Sequence, residues 1–219
     1  MSELLRESIY DALRAAILGC DLPPGDALRE QDLAARFGVS RAPVRDALLR
    51  LEQERLVTVA PRQGYRVNPI ELADARDLFG FRLALEPACA ATAAAEASEA
   101  TLRALDVFRA ARPGRAFIED NRDFHCAVAE ASGNRRMAAA LRDLVEQADR
   151  LVRVSVASMQ GRDTQQLVAE HAALIGALQA RDARGAARLA RSHVAAARDR
   201  VLGALRRSAV ILRQGDRTG

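Results

Sequence analysis

The 219-residue chain has no lysine and no tryptophan, and only 4% of its residues are aromatic. All 33 of its basic residues are therefore arginines, a bias that a skewed codon pool explains as well as any function does. The shortage of aromatic residues argues against a β-sandwich, whose core needs aromatic and β-branched side chains. An apolar share of 49%, rich in alanine, favours close-packed helices instead. We expect a mainly α-helical protein.

Cysteine and long apolar runs are also scarce. Cys20, Cys89 and Cys126 lie far apart and form no CxxC pair, so they predict no disulfide framework and are typical of a reducing cytoplasm. No run of about 18 uncharged apolar residues occurs that could cross a membrane. The N-terminal stretch MSELLRESIY lacks the apolar core of a signal peptide. We therefore expect a soluble cytoplasmic protein.

The first 68 residues carry the pattern of a winged helix-turn-helix domain. A helical stripe over residues 3–18 ends at the turn DLPPGD. Two short helical segments follow, joined by FGVS, in which Gly38 ends the first and Ser40 caps the second. Residues 56–67 are strand-like on both sides of the turn PRQG. This order predicts a fold in which the second helix of the motif enters the major groove of DNA.

From Glu71 onward the strand signals stop. Six amphipathic helical segments, separated by ARPG, SGN, QGR and ARDARG, predict an all-helical bundle. The chain thus divides into a DNA-binding domain and a helical domain. The predicted ranges are 1–68 for the first domain, 69–75 for a linker, 76–208 for the second domain and 209–219 for a flexible tail.

All three histidines of the chain lie in the second half, on predicted helices. His125, His171 and His193 each share a stripe with apolar residues, and Asn121 lies one turn before His125 on the same face, so all four should point inward. An ordinary buried histidine is the simpler interpretation of any one of them. Three separate inward imidazoles, however, would each need hydrogen-bond partners, whereas one shared metal ion satisfies a nitrogen of every ring. The spacing therefore favours a divalent metal site.

Two sets of motifs resemble a known family. The segments AAILGCDLPPGDAL, DLAARFGVSRAPVRDALLRLEQERLV and RQGYRV resemble the DNA-binding domain of the GntR family of bacterial transcription regulators. The segments DLFGFRLALEPACAATAA, FHCAVAEASGN and EHAALIGALQARDARGAARLARSHV are similar to the helical effector domain of its FadR-type subfamily, the FCD domain. The resemblance covers roughly residues 5–205 and keeps the expected order.

The resemblance implies a dimeric regulator whose helical domain binds a small carboxylate metabolite beside a divalent metal, often zinc. Family members hold the metal through Asp-x3-His on one helix and a histidine on each of two later helices. His125, His171 and His193 match this set, while Asn121 stands at the aspartate position. A neutral carbonyl oxygen can still coordinate, but we expect weaker metal binding and a more positive cavity. Asp123 is no substitute, because two residues along a helix is about 200° around it.

For the effector, the resemblance implies that Arg82 grips the carboxylate, which suits the paired N–H groups of a guanidinium. The alternative role for Arg82 is an ion pair with Glu86 one turn later. Ser155 is expected to add an inward hydroxyl. Cys126 points about 100° away from its neighbour His125 and is expected to be a core residue.

For the DNA, the resemblance implies contacts from the recognition helix and the wing. Arg41 and Arg45 are the expected base readers, because bidentate contact to guanine is the commonest specific contact. Phosphate contacts are expected from Ser40 and Arg50. The full predicted set is Ser40, Arg41, Ala42, Arg45, Arg50 and the wing-tip residue Gly64.

The sequence departs from the family pattern at two positions in this domain. Ala42 often carries a hydroxyl in relatives, so one contact to DNA should be missing. Arg55 replaces a common glycine after the recognition helix, which predicts either a strained left-handed cap or a shifted helix end.

We thus expect a metabolite-responsive repressor that reads a pseudo-palindromic operator as a homodimer. One alternative is a metal-dependent hydrolase with an accessory N-terminal domain, since three histidines and a water can support hydrolysis. Against it, the chain has no HExxH motif and no obvious inward general base. The other alternative is the same regulator with a metal-free pocket whose histidines grip the ligand directly.

Overall fold

The computed structural model describes residues 2–157 and 161–207, and their side chains over residues 4–153 and 164–206. The chain divides into two compact units, the first running to Glu71 and the second from Leu72 to Ser208. The mainly α-helical fold with a small N-terminal sheet is confirmed. The tail predicted over residues 209–219 lies outside the described residues.

The first unit is a winged helix-turn-helix. Its three strands form an antiparallel sheet in the order β1-β3-β2, with Val57 opposite Val67 and Ala60 opposite Gly64. Strand β1 was not predicted, because its two residues become a strand only by pairing with β3. The elements are α1 (Ser2–Leu18), β1 (Ala27–Leu28), α2 (Glu30–Phe37), α3 (Arg41–Gln53), β2 (Val57–Ala60) and β3 (Gly64–Val67).

The recognition helix α3 is held by its apolar face. Leu48 and Leu51 are buried in one cluster with Leu13 and Ile17 of α1, and each such side chain contributes roughly 1.5–3 kcal/mol when removed from water. Pro43 lies in the first turn of α3, where a missing N–H costs no helical hydrogen bond. The opposite face of the helix is left free for a partner.

Arg55, which follows the C-cap of helix α3, has a left-handed backbone conformation. This is one of the two outcomes that the sequence predicted for this position. Arg55 has φ 57°, its N–H donates to the carbonyl of Glu52 at 2.9 Å, and the Leu56 N–H donates to the carbonyl of Leu51 at 2.9 Å. This pair of bonds is the Schellman motif, for which glycine is the preferred residue. The arginine therefore adopts a backbone conformation that its Cβ disfavours.

Replacing Arg55 by glycine is expected to raise the free energy of unfolding of the first unit by about 0.5–1 kcal/mol, because relief of strain exceeds the entropy cost of glycine. The chain has no tryptophan and its two tyrosines, Tyr10 and Tyr65, both lie in this unit. Urea unfolding followed by tyrosine fluorescence therefore reports on the first unit alone. Arg55→Ala is the control, since it removes the side chain but keeps the strain. Equal stabilities for the glycine and alanine variants would contradict this explanation.

The second unit is a helical bundle built on the long helices α4 and α9. Helix α4 begins at Leu72, inside the range predicted as a linker. The second predicted helix of the bundle is short and continues as a 3-10 helix over Leu105–Phe108. The helices are α4 (Leu72–Glu96), α5 (Glu99–Ala104), α6 (Phe117–Ala131), α7 (Arg135–Ala157), α8 (Gly161–Gln179) and α9 (Ala183–Arg207). Among the helices described, none combines the length and apolarity needed to span a bilayer.

The core of the second unit is made mostly of small and branched apolar residues. Phe124, Ile175 and Leu178 are fully buried in one cluster with alanines of α4 and α9. Alanine lets helix axes approach closely, which explains how a chain so poor in aromatic residues fills this core. The close packing brings inward residues of α4, α6, α8 and α9 to a common centre.

Candidate nucleic-acid interface and metal centre

Helix α3 presents an exposed polar face opposite its buried one. Arg41, Ala42 and Arg45 are exposed, and Ser40 occupies the N-cap position without a side-chain capping bond. The buried face is formed by Val44, Ala47, Leu48 and Leu51. Four predicted DNA-contacting residues thus lie along one accessible edge at the start of the helix.

The two arginines of this edge share one carboxylate. Glu30, the first residue of α2, accepts two hydrogen bonds from Arg45, from Nε at 2.9 Å and from Nη2 at 2.8 Å. It also accepts one from Arg41 Nη2 at 3.1 Å. The hydrogen bonds from Arg45 and then Arg41 lower the pKa of Glu30 to about 2, so the carboxylate is ionised at neutral pH.

The other two predicted DNA residues have structural roles within the unit. Arg50 forms an ion pair with Glu7 of α1 at 2.6 Å and lies over the ring of Tyr10 at 3.7 Å. Gly64 begins β3 with φ 96°, and a Cβ there would lie 2.6 Å from the carbonyl oxygen of Leu28. The pairing of β1 with β3 therefore requires this glycine whether or not it approaches DNA.

The three histidines meet at the centre of the second unit. His125 of α6, His171 of α8 and His193 of α9 are all buried. Each offers one nitrogen, and these nitrogens lie within 4.8 Å of one another. We refer to these residues as the histidine cluster. Three buried imidazoles whose nitrogens converge in this way could hold a metal ion.

Two carboxylates orient the histidine cluster. Glu86 of α4 accepts a hydrogen bond from His125 Nδ1 at 2.7 Å and another from Arg82 Nε at 2.6 Å. Glu170 of α8 accepts one from His193 Nδ1 at 2.7 Å. When Nδ1 carries the proton, Nε2 keeps its lone pair, which is the form that binds metal. Neither glutamate was predicted to take part.

Burial favours the neutral imidazole at two positions of the histidine cluster, His125 and His171. Burial lowers the pKa of His125 to about 4, although the Glu86 charge acts against this. Burial also lowers the pKa of His171 well below its usual value. Burial disfavours the charged form of Glu86 as well, but Arg82 and His125 outweigh it and hold the pKa of Glu86 below its usual range. Neutral rings at His125 and His171, with His125 hydrogen-bonded to an ionised carboxylate, are in the protonation states that metal binding needs.

The residues present fit a metal ion on two further observations. The Nε2 atom of His171 is buried and makes no hydrogen bond within the described part of the chain, although its ring is fixed by stacking on Phe124 at 4.0 Å. A small cavity of about 20 Å³ adjoins His125 and His193, which is room for one ion or water. A bound ion would satisfy this orphaned nitrogen, because His171 belongs to the histidine cluster whose other two members line the small cavity.

Asn121 is buried and lines the same small cavity. It lies one turn before His125 on α6, and its role as a metal ligand stays a prediction. Asp123 turns away from the histidine cluster and pairs with Arg112 at 3.0 Å. The predicted effector residue Ser155 lies outside the residues whose side chains the structure describes.

Arg82 has only 1% of its surface exposed. It forms the ion pair with Glu86 that was the alternative role considered for it. Because this pair is buried, the loss of either residue would leave an uncompensated charge, which is far more costly than breaking a surface pair. Its Nη2 lies 3.4 Å from His125 Nε2, which is long for a hydrogen bond. Arg82 thus connects the carboxylate network to the edge of the histidine cluster.

A larger cavity of about 610 Å³ is lined in part by Asn121 and His171. Apolar side chains supply half of its lining. Its charged lining residues are Arg109, which pairs with Asp106 at 2.6 Å, and Arg115 and Asp120, which pair with each other at 3.4 Å. Its apolar lining residues are Phe108, Ala110, Ala111, Phe117, Val168, Ala169 and Ala172. A small organic molecule would fit in this space with a polar end at the histidine cluster.

Comparison with known proteins agrees with both units. Residues 5–67 match the model for bacterial regulatory proteins of the gntR family, and residues 77–196 match the FCD domain. The HTH-type transcriptional repressor RspR of Escherichia coli K12 is 38% identical over 95 residues, which is 43% of this chain and 42% of that protein. The HTH-type transcriptional regulator BphR of Paraburkholderia xenovorans LB400 is 33% identical over 205 residues, covering 87% of this chain and 82% of its own length.

Solved structures show the same fold. A GntR regulator from Rhodococcus sp. RHA1 superposes with a TM-score of 0.72 at 24% identity, over 90% of this chain and 97% of that one. Escherichia coli McbR/YncC gives 0.72 at 20% identity, over 88% and 94%. The matched families and relatives are transcriptional regulators and not enzymes, so the hydrolase alternative has no support. The chain belongs to the GntR family of bacterial regulatory proteins and carries an FCD domain.

Proposed function

We propose that this regulator is a repressor that binds a pseudo-palindromic operator as a homodimer and responds to a carboxylate metabolite bound beside a zinc ion. The observation that carries the proposal is the histidine cluster, in which three buried imidazoles converge and two are oriented by carboxylates. Such a function places the protein in the cytoplasm with the bacterial chromosome. Repression is supported by RspR, which is a repressor.

The ligand set proposed for the metal is His125, His171, His193 and the Asn121 carbonyl oxygen. When bound, zinc would supply a positive centre for an anionic ligand. Because Asn121 is neutral, the ligands themselves leave the full charge of the ion uncompensated. The buried pair of Arg82 and Glu86 adds no net charge, and the Glu170 carboxylate beside His193 offsets only one of the two positive charges. The site therefore favours an anion in the adjoining cavity.

The effector is proposed to be a carboxylate with an apolar body. Its carboxylate would face the histidine cluster and Arg82, where it competes with Glu86 for the guanidinium, and Ser155 remains a predicted contact. Its body would occupy the larger cavity, whose lining is half apolar and includes the rings of Phe108 and Phe117. The ligand shifts the equilibrium between a form that binds the operator and a form that does not. The size of this shift is set by the difference between the affinities of the two forms for the ligand.

The DNA-reading surface is proposed to be the exposed edge of α3 with the wing. Arg41 and Arg45 read bases, Ser40 and Arg50 hold phosphates, and Ala42 and Gly64 allow close approach. To contact a phosphate, Arg50 would have to give up part of its ion pair with Glu7. That pair is exposed, so breaking it costs little free energy.

A screen tests the proposed function. Selection from a random duplex pool identifies the bound site, and thermal shift measurements with zinc compare aliphatic and aromatic carboxylates with their amides. We expect a two-fold symmetric site, and carboxylates that both stabilise the protein and release the DNA. Stabilisation by carboxylates that is unchanged by a chelator would favour the metal-free regulator. Amides that act as well as carboxylates would contradict the anion site.

The proposed dimer is supported by the exposed face of α4. Between Gly80 and Ala95 the charged residues are Arg82 and Glu86, and both are buried. The accessible face instead carries Phe81, Ala84, Ala88, Ala91, Thr92 and Ala95. We assign this face to a second copy of the chain. A surface of small uncharged residues can pack against an identical surface about a two-fold axis. The same axis would relate two recognition helices, as a palindromic operator requires.

Phe81→Glu is expected to convert the dimer to a monomer, because it replaces the largest side chain of the apolar α4 face by a charged one. Sedimentation equilibrium of the full chain measures the change. Val107→Glu is the control, since Val107 is also an exposed apolar residue of this unit, at 55% against 52% for Phe81, but lies outside α4. A Phe81→Glu protein that remains dimeric would exclude this face.

A further inference from the structure

The carboxylate of Glu30 occupies an unusual position, between the two arginines proposed to read bases. It meets Arg45 with both oxygens, Oε1 to Nε at 2.9 Å and Oε2 to Nη2 at 2.8 Å, and it meets Arg41 with Oε2 at 3.1 Å. The Glu30 side chain is only 15% exposed, whereas the Arg45 side chain is 52% exposed. A largely covered anion thus anchors two accessible cations.

The geometry leaves Arg45 able to read a base while it is held. A guanidinium carries five N–H groups, and Glu30 uses the edge formed by Nε and Nη2. The second edge, formed by Nη1 and the other proton of Nη2, remains available for the paired acceptors O6 and N7 of guanine. Glu30 therefore constrains the orientation of the side chain without consuming the donors that specific contact needs.

The packing of the first unit does not require Glu30. Helices α2 and α3 join through buried apolar residues, including Leu33 and Ala34 on α2 and Val44 and Leu48 on α3. Asp32 also places a negative charge in the first turn of α2, so the favourable interaction with the helix dipole does not depend on Glu30 alone. The side-chain hydrogen bonds of Glu30 go to Arg41 and Arg45 alone among the described residues.

We propose that Glu30 is a specificity-determining positioning residue that holds Arg45, and secondarily Arg41, in the orientation that contacts guanine. This inference rests on the proposed function of the two arginines as base readers. A free arginine side chain loses rotamer freedom when it binds a base edge, and a side chain that is already held loses less. At the same time Glu30 adds a negative charge close to the phosphates, which weakens binding to any duplex.

Positioning of the arginines raises the affinity for the operator, whereas the negative charge of Glu30 lowers the affinity for any duplex. Measurements on two DNAs therefore separate the two effects. Glu30→Gln is expected to lower the affinity for the selected operator about 10-fold. The affinity for an unrelated duplex should stay the same or rise a few-fold, because a negative charge has been removed. The ratio of the two affinities is the specificity, and it should fall about 10-fold or more.

The experiment uses the full-length protein and fluorescence anisotropy with the operator selected from a random pool and with an unrelated duplex. Asp32→Asn is the matched control, because it removes an acid from the same helical turn; its specificity ratio should equal that of the unmodified protein. In an Arg45→Ala background, Glu30→Gln should cause a much smaller loss of specificity, because only its contact with Arg41 remains to be lost. Tyrosine fluorescence during urea unfolding checks that the first unit stays folded in each variant.

An equal change in both affinities, upward or downward, would overturn the inference, because it would show charge repulsion or unfolding without positioning. An undiminished loss in the Arg45→Ala background would also overturn it. The proposed function fails separately, if Arg45→Ala itself keeps the full affinity for the operator. Loss of specificity in Arg45→Ala with none in Glu30→Gln would leave the base readers in place and reject the role of Glu30.

Discussion

Replacing Arg45 by alanine is expected to lower the affinity for the selected operator by about 100-fold or more. Each bidentate contact with guanine contributes roughly 1–3 kcal/mol, and a dimer loses two of them, so the combined loss spans several factors of ten. Affinity for an unrelated duplex should fall much less, because that binding depends on total charge. Fluorescence anisotropy at one fixed salt concentration measures both affinities.

Arg36→Ala is the matched control for Arg45→Ala. Arg36 is an exposed arginine of the same unit, but it lies in the last turn of α2 and not on α3. Its removal costs the same charge, so it should lower the affinity for both duplexes by a similar small factor. If Arg36→Ala reduced operator affinity as strongly as Arg45→Ala, the assignment of base reading to the α3 edge would be wrong.

Replacing Asn121 by aspartate is expected to raise the affinity for zinc by about 10- to 100-fold, the range by which carboxylates near a metal commonly change affinity. Asn121 is buried beside His125 and His193 at the small cavity. A carboxylate there would supply the negative charge that the present ligand set lacks. Competition with a chromophoric chelator measures the affinity.

Asp123→Asn is the control for the metal site. Asp123 lies two residues further along α6 and pairs with Arg112, so removal of its charge should change zinc affinity only slightly. An unchanged affinity in Asn121→Asp would show that position 121 does not coordinate. The metal would then rest on the three histidines alone.

The sequence was enough to predict the inward direction of the three histidines and of Asn121. Helical periodicity fixes which side of a helix a residue occupies, and the apolar stripes around His125, His171 and His193 mark the buried side. The periodicity could not predict the glutamates that orient them, because Glu86 reaches His125 across the contact of α4 with α6, and Glu170 reaches His193 across α8 and α9. An acid and an arginine inside the otherwise uncharged stretch FRLALEPACA were the available signal for a buried polar network.

The DNA-binding unit shows the same limit of sequence reasoning. The turn at Gly38 follows from local chemistry and was predictable, and the left-handed Arg55 was one of the two alternatives that the sequence left open. The hydrogen bonds of Glu30 with Arg41 and Arg45 depend on the packing geometry of α2 against α3, which no local sequence pattern encodes. Gly64 was predicted to serve the approach to DNA, but the carbonyl of Leu28 in β1, a strand that the sequence did not predict, already requires a glycine there.

The zinc content of the purified protein tests the central claim most directly. After zinc loading and exhaustive dialysis, elemental analysis should give one zinc ion per chain for the unmodified protein and close to none for His171→Ala, whose Nε2 is the buried nitrogen that a metal explains. Retained zinc in His171→Ala, or no zinc in an unmodified protein that still binds its operator, would contradict a metal centre at the histidine cluster.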